Sequence, residues 1–232
     1  MTWVKICGMT NLEDALTAVE AGADAVGFVF YEKSPRNISV EAAREIVEKL
    51  PENVEKVGVF VEATAETVSE VVEQAGLTMV QTYPNFHDRL PVPDDRFLER
   101  LSRVIVALPA GQLRHEESDN PDVIAGFHAS NGFRDRVAAV LLDSGTSGRP
   151  GGTGKKFDWQ SVIPMTDLMG RIGLRLIVAG GLTPESVVEA MRVLTPWGVD
   201  VASGVEARPG KKDPEKVRAF VKAVREADRK AS

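Results

Sequence analysis

The run VKICGMTNLEDALTAVEAGADAVGFVF, residues 4–30, contains the pattern from which the fold can be predicted. It starts with a short apolar segment, Val4–Cys7, continues into a helical pattern after Asn11, and ends with a second apolar segment, Ala25–Phe30. Asparagine is a preferred residue at a helix N-cap, and the acidic residues that follow favour the positive end of a helix. Both apolar segments are nearly continuous, which is typical of parallel strands buried on both faces. The run therefore predicts one strand–helix–strand unit.

The same alternation of short apolar segments and helical patterns continues along the chain. Eight strands are predicted, at Val4–Cys7, Ala25–Phe30, Lys56–Val61, Met79–Thr82, Val104–Ala107, Ala138–Asp143, Arg175–Ala179 and Val199–Ser203. Eight strands alternating with helices over 232 residues predict an α/β protein, namely a single (β/α)8 TIM barrel with parallel strands. We predict one domain over residues 1–232. An open, doubly wound sheet is the alternative.

Several helix starts can be predicted from their capping residues. Ser39 precedes an acidic first turn, Thr183 precedes a proline at the first helical position, and the last helix starts at Asp213-Pro214. Between Tyr83 and Arg136, prolines interrupt the pattern, and only the run around Val104 indicates a strand. The sequence therefore does not delimit the fourth and fifth helices of the barrel.

Charge and composition exclude some classes of partner. The net charge is −6, whereas a nucleic-acid-binding protein would have clustered Lys and Arg, so no nucleic-acid partner is expected. No run approaches the roughly 18 apolar residues that span a bilayer, and the first residues do not have the pattern of a secretory signal, so no membrane partner is expected either. One cysteine cannot form an internal disulfide, which favours a cytoplasmic location. A monomer is expected, with a homodimer as the alternative.

Two chemically reactive residues lie at predicted strand ends, where (β/α)8 barrels have their active sites. Cys7 ends the first strand; it is either a small buried residue or, as a thiolate, a general base. Asp143 ends the sixth strand after three aliphatic residues. It either caps the next loop or, with its pKa raised by partial shielding from water, acts as a general acid.

Glycine-rich turns follow the last three predicted strands. They are residues 145–154, the pair Gly180-Gly181, and Ser203-Gly204. Glycine alone can simply mark a turn, but barrels commonly bind phosphate with bare backbone N–H groups after their seventh and eighth strands. After the second strand, Arg36 lies in a loop where it could bind a carboxylate. The three histidines, His87, His115 and His128, do not have metal-ligand spacing.

Taken together, these motifs resemble the phosphoribosylanthranilate isomerase family over nearly the whole chain. The matching segments are Lys5–Thr10, Gly22–Phe28, Ser34–Arg36, Leu142–Ser144, Gly151–Gly154 with Phe157–Trp159, Ala179–Leu182 and Asp200–Glu206. Each segment is short, but seven of them in register around one barrel make the resemblance specific.

The resemblance implies an Amadori rearrangement of a small phosphorylated aminosugar, without metal or cofactor, in tryptophan biosynthesis. It implies that Asp143 is the general acid, that Cys7 is the general base and that Arg36 holds the anthranilate carboxylate. Phosphate would be bound by backbone at the glycine-rich turns, through Gly154, Gly180, Gly181, Ser203 and Gly204.

The chain departs from the family after the fourth strand. The family usually has Val-Gln-Leu-His-Gly there, with the histidine near the anthranilate ring, whereas this chain has Val80-Gln81-Thr82-Tyr83-Pro84. Tyr83 can present an aromatic face and a hydroxyl, so we expect it to bind substrate and to take no part in proton transfer.

Two alternatives remain at this point. A related phosphosugar barrel is one: the histidine-pathway isomerase is expected to have aspartate in place of Cys7, and a pentulose-phosphate epimerase would have metal-binding histidines at strand ends. The other is a catalytically silent barrel that only binds a phosphate ligand.

Overall fold

Eight parallel strands close into a barrel. The computed structural model describes residues 1–83, 103–110, 136–144 and 159–231. The strands pair in chain order, and β1 also pairs with β8. They are β1 Trp3–Cys7, β2 Ala25–Phe30, β3 Glu55–Val61, β4 Met79–Tyr83, β5 Val104–Pro109, β6 Val137–Asp143, β7 Leu176–Val178 and β8 Gly198–Val201. The predicted (β/α)8 barrel is confirmed, and the open sheet is excluded because the first and last strands are hydrogen-bonded to each other.

Helices surround the barrel. The described α-helices are α1 Leu12–Glu20, α2 Val40–Val47, α3 Ala65–Ala75, α4 Ile163–Ile172, α5 Val187–Leu194 and α6 Pro214–Ala231. A short 3₁₀ helix, Ser203–Val205, and a two-stranded hairpin, β9 Glu206–Arg208 with β10 Lys211–Lys212, follow β8. The segments in which the two undelimited helices were expected, 84–102 and 111–135, lie outside the described residues. No helix of the described part of the chain is long and apolar enough to cross a membrane.

Alternate residues of each strand face opposite sides of the sheet, and this alternation decides which side chains enter the barrel. In β1, Val4 and Ile6 pack in the large core between sheet and helices, whereas Cys7 belongs to a smaller cluster inside the barrel. In β4, Met79 and Tyr83 belong to the inner cluster. The functional candidates at the strand ends therefore share the interior with the packed barrel core.

The predicted helix starts can now be compared with the structure. Asn11 and Ser39 cap α1 and α2 by accepting hydrogen bonds from the backbone of Asp14 and Ala42, and the last helix begins at Pro214, as predicted. The prediction for Thr183 is wrong, because α5 begins at Val187 after a turn. In that turn the Thr183 N–H donates to Ser186 Oγ (3.0 Å), so the threonine anchors the turn and does not cap the helix.

Two strands near the candidate phosphate site are shorter at their C-terminal ends than predicted. β7 ends at Val178 and β8 at Val201, so Ala179 and Ser203 lie just beyond the sheet. Gly180 and Gly181 follow with positive φ angles of 82° and 66°, and Ser203 enters the 3₁₀ helix. The chain leaves the sheet early here because it must turn sharply within a few residues.

Candidate active site

A cavity of about 390 Å³ opens at the C-terminal end of the barrel. That volume is within the range of small-molecule sites. Its lining includes every candidate residue from the sequence that falls within the described ranges: Cys7, Arg36, Tyr83, Asp143, Gly180, Gly181, Ser203 and Gly204. Gly154 lies outside the described residues, as do the three histidines. The structure thus brings together residues from six separate strand ends or the loops after them.

Cys7, the general-base candidate, is buried at the end of β1. Neighbouring Gly27 makes room for it, since a Cβ at Gly27 would lie 2.8 Å from Cys7 Sγ and 3.1 Å from Lys5 Cε. Burial raises the pKa of the Cys7 thiol, the charges of Lys5 and Lys212 lower it, and that of Asp200 raises it; the net effect is upward. The thiol is therefore mostly protonated at neutral pH, and the lysines limit how far burial disfavours the thiolate.

Lys5 is a fully buried charge beside the thiol. Its ammonium donates a hydrogen bond to Asp200 Oδ1 at 2.8 Å across the β1–β8 pair. Burial alone would lower the pKa of Lys5, but its ion pair and hydrogen bond with Asp200 outweigh burial, the adjacent Cys7 adds to their effect, and the pKa is raised. Lys5 is therefore a cation inside the barrel, next to the candidate base.

Asp143, the general-acid candidate, is buried at the end of β6. The Tyr83 hydroxyl donates to Asp143 Oδ2 at 2.8 Å, and Gln81 Nε2 donates to the Tyr83 hydroxyl at 3.2 Å. Burial raises the pKa of the Tyr83 phenol well above its ordinary value, and the charge of Asp143 adds to the shift. Tyr83 is thus a neutral hydrogen-bond donor to the candidate acid.

Arg36 reaches the cavity in a buried ion-pair network. Its Nε and Nη2 atoms donate to the two carboxylate oxygens of Glu206 at 2.8 and 2.7 Å. Glu206 also accepts from Lys212 Nζ (3.0 Å), which donates in addition to the backbone oxygens of Cys7 and Ala202. The bidentate pair leaves Nη1 as the guanidinium nitrogen that Glu206 does not engage, and it fixes the plane in which that nitrogen lies.

The two glycine turns beside the cavity are closely packed. A Cβ at Gly204 would overlap the backbone oxygen of Leu182, and a Cβ at Gly180 would overlap Ser144. Close packing therefore requires glycine at each of these two positions, independently of any ligand. The same close packing keeps bare backbone at the rim of the cavity, which is what a phosphate site of this type requires.

Comparison with known proteins assigns the family. A family model described as N-(5'phosphoribosyl)anthranilate (PRA) isomerase matches residues 4–223. The chain belongs to this family. The N-(5'-phosphoribosyl)anthranilate isomerase of Thermotoga neapolitana is 44% identical over 96% of this chain and 98% of its own length. That of Trichlorobacter lovleyi is 42% identical over 98% of this chain and 100% of its own length. The resemblance inferred from the motifs is confirmed.

Solved structures of isomerases in this family have the same fold. The crystal structure of phosphoribosyl anthranilate isomerase from Thermotoga maritima matches with a TM-score of 0.77 and 40% identity, and covers 97% of this chain and 100% of that chain. Another phosphoribosyl anthranilate isomerase structure contains reduced 1-(o-carboxyphenylamino)-1-deoxyribulose 5-phosphate. It matches with a TM-score of 0.74 and 39% identity, with the same coverage.

Sequence reasoning missed several charged and polar residues of the site. Lys5, Gln81, Asp200, Glu206 and Lys212 are all buried, although none was singled out for a role. Lys5 and Asp200 interrupt apolar strand runs, which was an available signal because a buried charge must be paired. Glu206 and Lys212 lie in a polar segment after β8 and carried no such signal. In the described part of the chain, no group of three or more His, Cys, Asp or Glu side chains could hold a metal ion.

Proposed function

We propose that this protein isomerises N-(5'-phosphoribosyl)anthranilate to 1-(2-carboxyphenylamino)-1-deoxyribulose 5-phosphate in tryptophan biosynthesis. The observation that carries the assignment of catalytic roles is that Cys7 and Asp143 line one cavity in a chain of this isomerase family. The reaction needs an acid at the ring oxygen and a base at C2′ of a single sugar, two atoms that are both bonded to C1′, and the site provides one of each. The substrate is a small molecule that enters the open end of the barrel.

The mechanism divides the two proton transfers between the two residues. Asp143 in its protonated form gives its proton to the ribose ring oxygen, the bond from that oxygen to C1′ breaks, and the ring opens to a protonated Schiff base. Cys7 as thiolate then removes the proton from C2′, and the electron pair of that C–H bond neutralises the iminium to give an enolamine. Tautomerisation of the enolamine gives the ketone. Acid–base catalysis of this kind typically contributes about 10²–10⁴ per group.

The two ends of the substrate would be bound by different kinds of group. Arg36 would bind the anthranilate carboxylate through Nη1, since Glu206 engages the other two nitrogens. Backbone around Gly180, Gly181, Ser203 and Gly204 would bind the phosphate, with Gly154 as a further candidate. Tyr83 would contact the anthranilate ring with its aromatic face, because its hydroxyl is already bound to Asp143.

A fluorescence assay that follows the loss of phosphoribosylanthranilate, without added metal, tests this function. Cys7→Ala and Asp143→Asn should each lower kcat at least about a hundredfold while circular dichroism and the melting temperature stay close to those of the wild type. Near-normal kcat in both variants would refute the mechanism. An inactive wild-type protein that still binds a phosphorylated ligand would instead identify a silent binding barrel, and turnover of the histidine-pathway aminosugar alone would identify the related isomerase.

We further propose that the protein acts in the cytoplasm, as a monomer. A cytoplasmic location is supported by its sole cysteine, which must stay reduced to serve as a base. Monomeric state is supported by the described surface, where the exposed large apolar side chains are Met1 and Val188. A solved Thermotoga maritima relative is described as dimeric. Light scattering during size-exclusion chromatography decides between monomer and homodimer.

A further inference from the structure

Tyr83 contacts the candidate acid, Asp143, in addition to lining the cavity. Tyr83 ends β4 and Asp143 ends β6, so their contact bridges the intervening strand β5. Both side chains are buried, at 9% and 3% exposure, which protects the 2.8 Å hydrogen bond from competing water. A hydrogen bond to the candidate acid can affect the chemistry as well as the packing.

The direction of this hydrogen bond is determined by a third residue. Gln81 precedes Tyr83 by two positions on β4, so both side chains point into the barrel, and Gln81 Nε2 donates to the tyrosine oxygen. Since that oxygen accepts from Gln81, its own proton points towards Asp143 Oδ2. Both hydrogen bonds are therefore donated in the same direction, from Gln81 to Tyr83 and from Tyr83 to Asp143.

We propose that Tyr83 is a positioning residue for Asp143, because its hydrogen bond to Oδ2 keeps the proton of the protonated acid off that oxygen. Oδ2 already accepts the tyrosine proton, so a protonated Asp143 carries its own proton on the other oxygen. Without Tyr83 the proton could be on either oxygen, and only one of them can face the ribose ring oxygen in a given pose. The catalytic part of this proposal rests on the proposed function, whereas the contact and its effect on titration do not.

The proposal predicts a reciprocal effect on two titrations. A hydrogen bond to a carboxylate favours the charged form, so removing the Tyr83 hydroxyl raises the pKa of Asp143. In the other direction, the pKa of the Tyr83 phenol is raised by burial first and then by Asp143, with Cys7 and Asp200 as the other charged or titratable groups that contribute. Asp143→Asn therefore lowers the pKa of the phenol, although burial keeps it above the ordinary value.

The chain offers a matched control, because it has two tyrosines and both line the cavity. Tyr83→Phe and Tyr31→Phe each remove one hydroxyl and keep the ring. The Asp143 carboxyl is followed by carbon-13 NMR in protein labelled at aspartate carboxyl groups, and its signal is identified by its absence in Asp143→Asn. We expect the pKa of Asp143 to rise in Tyr83→Phe and to stay unchanged in Tyr31→Phe. Equal titration in both variants would overturn the proposal.

Phenol ionisation gives a second measurement on the full-length protein, and it needs no assay of turnover. In the wild type, ultraviolet absorbance should show a tyrosine that ionises well above the ordinary pKa of about 10, because the pKa of Tyr83 is raised. That high-pH transition should move down in Asp143→Asn and vanish in Tyr83→Phe. If it did not move in Asp143→Asn, the two groups would not be coupled and the proposal would fail.

Kinetics separate positioning of the acid from binding of the substrate. Tyr83→Phe should lower kcat about five- to tenfold and change KM less than about twofold, because a hydrogen bond to the acid is lost while the ring still lines the cavity. A raised KM with unchanged kcat would overturn the proposal and make the hydroxyl a substrate contact. If the wild type did not turn over phosphoribosylanthranilate at all, the proposed function would fail, while the two titrations would still report on the contact between Tyr83 and Asp143.

Discussion

The pKa of the Cys7 thiol is set by opposing effects inside the barrel. Burial raises its pKa most, Lys5 opposes burial with its positive charge, and Asp200 raises the pKa again. Lys5 and Asp200 are themselves joined at 2.8 Å. The fraction of thiolate available as base therefore depends on a pair of charges that the substrate need not touch.

We predict that Lys5→Met raises the pKa of Cys7 further, because the positive charge is lost and that of Asp200 remains. Lys5→Met/Asp200→Asn should give a smaller rise, since it also removes the carboxylate. Because Cys7 is the only cysteine, the rate of alkylation by iodoacetamide as a function of pH measures its ionisation directly.

A matched control for this prediction is Lys56→Met. Lys56 is also a buried strand lysine, but its ammonium donates to the backbone oxygen of Pro51, and Lys56 is not among the groups that shift the pKa of Cys7. Its substitution should leave the Cys7 titration unchanged. If the alkylation rate of Cys7 had the same pH dependence in Lys5→Met and in the wild type, the charge of Lys5 would not affect the pKa of the thiol.

The turn after β7 combines a left-handed backbone with the proposed phosphate contact. Gly181 has φ = 66°, a left-handed conformation that costs a residue with a Cβ roughly 1–2 kcal/mol. A substitution there would destabilise the turn whether or not the glycine binds phosphate. A loss of activity alone therefore cannot identify the phosphate site.

Gly173 provides the comparison that separates the two effects. It ends α4 with φ = 73°, and a Cβ there would meet no atom within 4 Å. We predict that Gly181→Ala and Gly173→Ala lose similar stability, about 1 kcal/mol each, in urea unfolding. KM should rise only in Gly181→Ala, where the Cβ obstructs close approach of the phosphate. Unchanged KM in Gly181→Ala would place the phosphate elsewhere.

One carboxylate, that of Glu206, joins parts of the chain that are distant in sequence. Glu206 pairs with Arg36, 170 positions away, and with Lys212 on the following strand of the hairpin. Burial would raise the pKa of Glu206, but hydrogen bonds from Arg36 and the charge of Lys212 outweigh it and hold the pKa below the ordinary 4.5. This network contributes stability above about pH 4.5 that is lost as the pH falls through the lowered pKa of the folded state.

We predict that Glu206→Gln lowers the free energy of unfolding at pH 7 by about 3 kcal/mol, because it leaves buried cations without a carboxylate. The difference from the wild type should narrow as the pH falls through the lowered folded-state pKa of Glu206, where Glu206 becomes protonated in the wild type as well. Urea unfolding at several pH values measures this. Glu48→Gln, at an exposed pair with Arg44 (3.6 Å), should cost less than about 0.5 kcal/mol. A difference that is independent of pH would contradict the assignment to Glu206 ionisation.

Much of the fold and part of the site could be predicted from short-range patterns. Apolar runs between helical patterns are local features, and they were enough to predict eight strands and the barrel. Cys7 and Asp143 could be recognised because each ends such a run, and strand ends meet at one edge of a barrel. That residues 1–232 form a single domain stays a prediction.

The amino-acid pattern was therefore enough to predict the barrel, the family and the two candidate catalytic residues. The partners of the buried polar side chains could be read only from the folded chain: Tyr83 contacts Asp143, Lys5 contacts Asp200 and Glu206 contacts Arg36. The physical reason is that strand pattern specifies which face a side chain takes, whereas these contacts join residues 60 to 195 positions apart. Which inward-facing side chain meets which is set by closure of the sheet and by the need to pair every buried charge.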